Sequence, residues 1–420
     1  MTKNIFGTDL KNPPYSKTLD GYKWNKDNWE VYLTNTDYDK YFIYYKCKRE
    51  DKEFFYRETK PEYKDIITWE IEHLPIEKLE TKIKNKGYMR ILVTGAAGFV
   101  GHHIIEGILK NTDWDVVLLD KLNYAGDINK ITDLAIYPQA RARIWNVYHD
   151  LSAPISEIKH KQIGNIHYCL HLAAESHVEN SLHDALPFAY NVVGTTNLLQ
   201  YLRDKQPNLR KYIGFNTDEV FGPAPDQVFY KETDKFYPSN PYSGSKGGQW
   251  CMEYAFFKSF RMPILMCHSM NIFGERQNPE KFVPKVIQAI LNKKKIPIHG
   301  IKDGEISSRC WIHAREVANA IIFLFEKGTP GESYNIVGEE RSVLWLANEV
   351  SRVINNRPLN DDEIDWIDFH TNRPGHDLRY ALDGTKMTEL GWKPSYSLEQ
   401  SFDKTIDWIM REENKHWLNL

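Results

Sequence analysis

Tyr242 and Lys246 stand four residues apart in Tyr242-Ser243-Gly244-Ser245-Lys246, a spacing that puts both on one face of a helix. An ammonium beside a phenol stabilises the phenolate and lowers the tyrosine pKa toward neutrality. Such a pair is a base that can remove a hydroxyl proton while hydride leaves the same carbon. The spacing alone is common by chance and ordinarily marks an exposed helix pair. It gains meaning downstream of a hydride acceptor, and an earlier segment is built to hold one. Met89 to Thr94 is an apolar strand-like run, followed by Gly95, Gly98 and Gly101, with a helical pattern starting at Phe99 and Val100. The first glycine allows a tight turn, the second lets backbone approach a pyrophosphate, and the third lets helix pack closely on strand. The helix start offers N–H groups and a positive dipole end to phosphates. A second apolar run, Val116–Leu119, ends in Asp120, about 20 residues after the glycines, where a ribose-binding carboxylate belongs. That acid favours NAD, because it would repel a 2′-phosphate.

The elements that must position these groups read as alternating strand and helix from Met89 onward. Strands are predicted at Arg90–Thr94, Asp115–Leu119, Ala142–Val147, His167–Leu172, Tyr212–Asn216 and Ile264–His268. Such alternation implies an α/β fold, a doubly wound parallel sheet of Rossmann type. Beyond about Gly274 the alternation weakens, as in a smaller C-terminal substrate-binding domain. The expected organisation is an NAD-binding domain over 89–273, with the catalytic residues. Residues 274–420 mainly bind substrate, with some elements interleaved. Residues 1–88 are rich in aromatics and charges and poor in Gly and Ala. They read as an extra α+β module of unassigned role. Its strands are expected at Trp29–Leu33, Tyr41–Tyr45 and Glu53–Tyr56, and a helical stripe at Ile76, Leu79 and Ile83.

Together these features resemble the extended short-chain dehydrogenase/reductase superfamily, and finer motifs resemble one branch, the dTDP-glucose 4,6-dehydratase family. The glycine loop and the Tyr242/Lys246 pair match the superfamily, as does Leu172-Ala173-Ala174, a cofactor-supporting turn. Thr217-Asp218-Glu219 is the discriminating motif, since epimerases of the superfamily usually lack the two acids. Asp120-Lys121-Leu122-Asn123-Tyr124-Ala125-Gly126, Ala173–Val178 and Arg373–Tyr380 also look like that branch.

The resemblance implies a closed redox cycle on a nucleotide-diphosphate glucose. Tyr242 takes the C4 hydroxyl proton, with Lys246 tuning it and Thr217 holding the oxygen. Hydride passes to NAD, Glu219 removes the C5 proton, Asp218 protonates the departing C6 hydroxyl, and hydride returns to C6. Dehydration needs a base and an acid together, whereas an isolated Asp-Glu pair is ordinarily a solvated turn. The implied cofactor site comprises Gly95, Gly98, Phe99, Val100, Gly101, Asp120, Lys121, Asn123, Asp150, Leu151, Leu172, Ala173 and Ala174, besides Tyr242 and Lys246. Substrate contacts are assigned to Ser176, His177, Asn271, Glu280, Lys281, Arg309, Asn335 and His376. No metal is implied, and a homodimer is expected.

Several positions depart from the family pattern: Asn216 for Ser, Phe221 for Tyr, Gly274–Asn278 for a Gly-Pro-Tyr-type segment, and Cys310 for Asp. They leave thymidine and uridine both open as the base. A UDP-sugar epimerase or UDP-glucuronate decarboxylase on the same fold, or a non-catalytic nucleotide-sugar or NAD sensor, are the competing readings. The acid pair argues against the epimerase. Retention of all five reactive residues argues against the sensor.

Composition narrows the partners. A net charge of −3 gives no field directed at nucleic acid or anionic membrane. No apolar stretch is long enough to span a bilayer. The five cysteines lack metal-type spacing. With an odd count and no secretory signal at the start, free thiols in a reducing cytoplasm are expected.

Overall fold

The computed structural model describes residues 18–19, 22–23, 30–32, 42–49, 52–60, 89–368 and 379–418. The chain divides into two compact units, Met1–Tyr88 and Met89–Leu420. In the first, β1 (Thr18–Leu19) and β2 (Tyr22–Lys23) pair antiparallel. β3 (Glu30–Tyr32), β4 (Phe42–Arg49) and β5 (Lys52–Thr59) form a three-stranded antiparallel sheet in that order. These strands match the three expected there, with β4 and β5 longer than their aromatic runs suggest. The stripe at Ile76, Leu79 and Ile83 lies outside the described residues.

The second unit begins with β6 (Arg90–Thr94), α1 (Phe99–Asn111), β7 (Asp115–Asp120), β8 (Ile144–Tyr148) and β9 (Tyr168–His171). It continues through α2 (Leu186–Lys205), β10 (Lys211–Thr217), α3 (Pro241–Phe260), β11 (Ile264–Ser269) and β12 (Ile272–Phe273). Next come α4 (Phe282–Leu291), β13 (Ile296–His299), β14 (Ser308–His313), α5 (Ala314–Lys327) and β15 (Ser333–Ile336). The unit closes with β16 (Glu339–Ser342), α6 (Val343–Asn355), β17 (Ile364–Ile367) and α7 (Leu398–Ile409).

Seven strands form one sheet in the order β15–β11–β10–β9–β6–β7–β8. Every pairing in it is parallel. Helices cover both faces, so successive apolar residues of one strand enter different cores. Ile91 and Val93 pack with Ile104 and Ile108 of α1 and Ile321 and Leu324 of α5. Leu92 packs with Leu198 and Leu202 of α2 and Phe256 of α3. A third core, with Phe273, Ile287, Ile298, Leu346 and Phe402, holds the smaller C-terminal layer together. There β12–β14–β16 and β13–β17 form two small sheets.

The chain returns to the large sheet late, since α5 and β15 belong to its layers. β15 was not among the strands expected from sequence. Its pattern Ser333-Tyr334-Asn335-Ile336 resembles a loop, yet all four residues are buried. The polar ones are satisfied across the chain: Trp250 Nε1 donates to Ser333 Oγ and Asn335 Nδ2 donates to Tyr230 O. Among the described residues no helix is long and apolar enough to cross a membrane.

Candidate active site

Parallel register brings strand ends to one level: Thr94 lies beside Leu119 and His171, and Thr217 beside Ser269. A cavity of about 450 Å³ opens there, against the ends of β6, β7, β9, β10 and β11. It spans the point between β6 and β9 where strand order reverses, the place such sheets bind ligands.

One wall is the glycine loop. Gly95 has φ +68°, and a Cβ there would meet Ala173 N at 2.8 Å. A Cβ on Gly101 would come within 2.5 Å of Gly95 O, so the helix could not pack this close to the loop. Gly98 begins α1 without a side-chain cap, which leaves the first turn able to receive an anion. Asp120, at the end of β7, accepts from Ala97 N (3.0 Å) and Leu122 N (2.8 Å). The turn after β9 is held by Ala173 N donating to Thr94 Oγ1, which in turn contacts His171 Nδ1 at 2.7 Å. Lys121 Nζ and Asn123 Nδ2 donate to Glu175 Oε1. Phe99, Val100, Asp150, Leu151, Leu172 and Ala174 complete this side. All the residues assigned to the cofactor from sequence thus line one cavity. Its amides, helix dipole and carboxylate fit the pyrophosphate and ribose of a dinucleotide.

Thr217, Asp218, Glu219, Tyr242 and Lys246 line the same cavity. The two acids do not sit on a strand. β10 ends at Thr217, whose Oγ1 accepts from Glu219 N, and a 3₁₀ turn over Asp218–Phe221 follows. The bend presents both acids to the cavity, where an extended strand would aim them at opposite faces. Glu219 Oε2 accepts from Asn240 Nδ2. The same Asn240 caps α3, its Oδ1 accepting from Ser243 N at 2.8 Å. Asp218 accepts from Thr217 Oγ1 at 3.1 Å, while its Oδ2 is buried with no hydrogen-bond partner. Burial, and then the Glu219 charge, push the Asp218 carboxyl up to about 7. Arg309 is near enough for its charge to oppose that rise.

Tyr242 and Lys246 both belong to α3 and both line the cavity. Burial, and then the Glu219 charge, push the Tyr242 phenol upward, while hydrogen bonding with Thr217 works the other way. The Lys246 ammonium donates to Phe215 O and Gln249 Oε1, both at 2.7 Å. Acceptors from β10 and α3 decide where the ammonium points. Burial pushes Lys246 down to about 8, against the opposing charge of Glu253.

Ser176, Asn271, Glu280 and Lys281 line the cavity as expected for substrate contacts, and His177, Arg309 and Asn335 are not among its walls. His177 caps the helix Val178–His183, its Nδ1 accepting from Asn180 N. Arg309 is buried in β14, its guanidinium 4.9 Å from the Tyr380 ring centre. Asn335 is fully buried in β15, donating to Tyr230 O and Asp383 O. Its amide is committed to joining sheet and C-terminal segment, which corrects the expected nucleotide contact. His376 lies outside the described residues.

Sequence reasoning missed Asn191. Its Oδ1 accepts from Glu175 N, and its Nδ2 donates to Glu175 O and Ser245 Oγ, tying α2 to the cofactor turn and to α3. No local motif surrounds Asn191, so nothing short of tertiary structure could find it. The role of Asn240 was half legible: Asn before Pro241 signals a helix start, but not a hydrogen bond to Glu219.

The sheet order, the glycine loop and the Tyr-Lys helix at its mouth define an extended short-chain dehydrogenase/reductase. The family model described as GDP-mannose 4,6 dehydratase matches residues 92–405. The dTDP-glucose 4,6-dehydratase of Salmonella typhimurium is 34% identical over 358 residues, covering 79% of this chain and 95% of its own. The dTDP-D-glucose 4,6-dehydratase of Mus musculus is 32% identical over 334 residues, covering 79% and 91%. Among solved structures, DesIV (dTDP-glucose 4,6-dehydratase) from Streptomyces venezuelae, with NAD and TYD bound, superposes with a TM-score of 0.69 at 29% identity. It covers 78% of this chain and 98% of its own. The chain belongs to the dTDP-glucose 4,6-dehydratase family.

Proposed function

We propose that this protein is an NAD-dependent nucleotide-glucose 4,6-dehydratase, a hydro-lyase forming the 4-keto-6-deoxy sugar. The observation that carries the reading is the pairing of Asp218 with Glu219 on one turn of the cavity. Buried Asp218 is pushed up to about 7 and can keep a proton near neutrality. Two adjacent carboxyls driven apart in pKa can serve as acid and base in one reaction.

A bound NAD would supply a hydride acceptor at C4 and a hydride donor at C6. Gly95, Gly98, Gly101 and Asp120 would hold it. Tyr242, as a phenolate stabilised by the Lys246 ammonium on the same helix face, accepts the C4 hydroxyl proton, and Thr217 holds the same oxygen. The new ketone acidifies the C5 proton, which Glu219 removes. Asp218 protonates the C6 hydroxyl, which leaves as water. A proton then returns to C5, so the products are the 4-keto-6-deoxy sugar nucleotide and one water. Ser176, Asn271, Glu280 and Lys281 surround the substrate.

The reading extends to assembly. Leu186, Tyr190 and Val193 follow one face of α2 and are exposed, with Phe260 exposed at the end of α3. Such an apolar stripe supports a homodimer, which sedimentation velocity would register at twice the chain mass. We place the protein in the cytoplasm, and assign NAD binding mainly to 89–273 and sugar-nucleotide binding mainly to 274–420. Residues 1–88 form a module of separate role. Fractionation and a variant lacking 1–88 test these assignments, the latter keeping its turnover.

The primary test is a mass-spectrometric product assay with dTDP-glucose and UDP-glucose in parallel, each with NAD⁺. A product lighter by one water, without net NADH, is expected from at least one. Loss of water from neither sugar would defeat the reading.

A further inference from the structure

Lys246 has a buried partner that the reaction scheme does not use. On α3 the residues three and seven positions after Lys246 are Gln249 and Glu253, which share its face. Both are fully buried. Lys246 Nζ donates to Gln249 Oε1 at 2.7 Å, and Gln249 Nε2 donates to Glu253 Oε1 at 3.2 Å. Glu253 Oε1 also accepts from Tyr212 Oη at 2.8 Å. The amide orientation follows from its neighbours, because an ammonium only donates and a carboxylate only accepts. Position 214 makes room for the carboxylate: a Cβ there would lie 2.2 Å from both Glu253 oxygens. Glycine opposite a buried glutamate, with an amide bridging to lysine, is a built arrangement rather than an accident of packing.

A buried ammonium is costly unless a counter-charge accompanies it. The groups facing this chain from the sheet are His171 and Cys169 on β9, Tyr212 on β10, and Cys267 and His268 on β11. Burial pushes both histidines down to about 3, so they stay neutral. It pushes the two thiols and the phenol upward, so they stay protonated. Among the described residues facing it here, Glu253 is the acid able to balance Lys246. Burial also pushes Glu253 up, while its hydrogen bonds with Tyr212 and Gln249 and the Lys246 charge work the other way.

We infer that Glu253 is a positioning residue, which through Gln249 fixes the Lys246 ammonium and supplies the counter-charge that keeps it protonated. This rests on the proposed role of Lys246 beside Tyr242. Glu253 touches neither substrate nor cofactor in that scheme.

The test follows the ammonium directly. Full-length protein carrying 13Cε-lysine is titrated by NMR, with the Lys246 signal assigned by its absence in Lys246→Met. Glu253→Gln is expected to lower the Lys246 midpoint by about one pH unit, a tenfold shift in its ionisation. Gln249→Met, which cuts the bridge and leaves the acid, should lower it in the same direction. Glu253→Asp, which keeps the charge, should restore most of the shift. The alkaline limb of the C4-oxidation step should move with the NMR midpoint. Coincident midpoints in wild type, Glu253→Gln and Gln249→Met would overturn the inference, and Gln249→Met alone decides it if Glu253→Gln does not fold. A shifted midpoint in a protein that removes no water from either nucleotide glucose would defeat the proposed function while leaving the coupling of Glu253 to the Lys246 ammonium in place.

Discussion

Two carboxylates of the second unit are buried alike, Asp218 at 4% exposure and Glu275 at 6%, and their surroundings push them in opposite directions. Asp218 sits on a turn beside another acid and is pushed up to about 7. Glu275 lies on the segment between the sheet and the C-terminal layer. Burial would raise it too, but His313, His103 and Arg315 outweigh burial and hold it well below the usual carboxylate range. His313 Nε2 lies 3.1 Å from Glu275 Oε2, Arg315 Nη2 pairs with Oε1, and His103 Nε2 lies 3.1 Å from the Glu275 carbonyl. Burial by itself therefore does not make a reactive acid. A carboxyl whose surroundings favour its neutral form is available for proton transfer. One paired with an arginine and flanked by imidazoles is a clamp, here fastening the 274–277 segment to α1 and α5.

The largest effect expected from this contrast is on Asp218. Asp218→Asn should reduce water loss by about a hundredfold to ten-thousandfold, with reduced cofactor accumulating in single-turnover absorbance. In wild type the acid acts only while protonated, so turnover should fall about tenfold per pH unit above about 7. The stability effect has the opposite sign. The folded chain holds the Asp218 proton more tightly than the unfolded chain. The group therefore costs stability as pH rises from the ordinary carboxylate range through 7. Asp218→Asn should accordingly be more stable than wild type at neutral pH in thermal melts. A less stable, fully active variant would erase the contrast.

Glu275→Gln should do the reverse. Leaving Arg315 and the imidazoles without their carboxylate should cost about 1–3 kcal/mol, seen as a fall of several degrees in Tm. Because the folded pKa is depressed, the Glu275 contribution is complete above about pH 4.3 and is lost as pH falls below that value. The variant should therefore show a flatter acid limb in stability. At neutral pH the folded fraction should still remove water.

The smallest effect falls on Arg315, which is partly exposed. Arg315→Lys keeps the charge but not the planar fork, and should cost at most about 1 kcal/mol in denaturant titrations with turnover unchanged. A cost approaching that of Glu275→Gln would shift the clamp from the histidines to the arginine.

Much of the cofactor side was legible because its chemistry is local. Gly95, Gly98, Gly101 and Asp120 are bound to their roles by backbone turns within about 30 residues, the span of one strand-helix-strand unit. The same holds for the Thr217-Asp218-Glu219 turn and the Tyr242–Lys246 helix face. The sugar-nucleotide side read less well. Asn335 looked like a ligand residue and is a sheet residue, while Asn191 looked like nothing and ties three segments of the site together. Single polar residues carry no periodicity, so their partners cannot be inferred from neighbours in sequence.

The amino-acid sequence alone determined the alternation of strand and helix, the glycine loop, and the set of reactive side chains, since each depends on residue type and short spacing. Tertiary structure alone decided the charge of those side chains. Asp218 is raised because the fold buries it beside Glu219, and Lys246 turns to Gln249 and Phe215 because β10 and α3 place acceptors there. Desolvation and pairing depend on what the rest of the chain brings within a few ångströms, and no local pattern of residues encodes that.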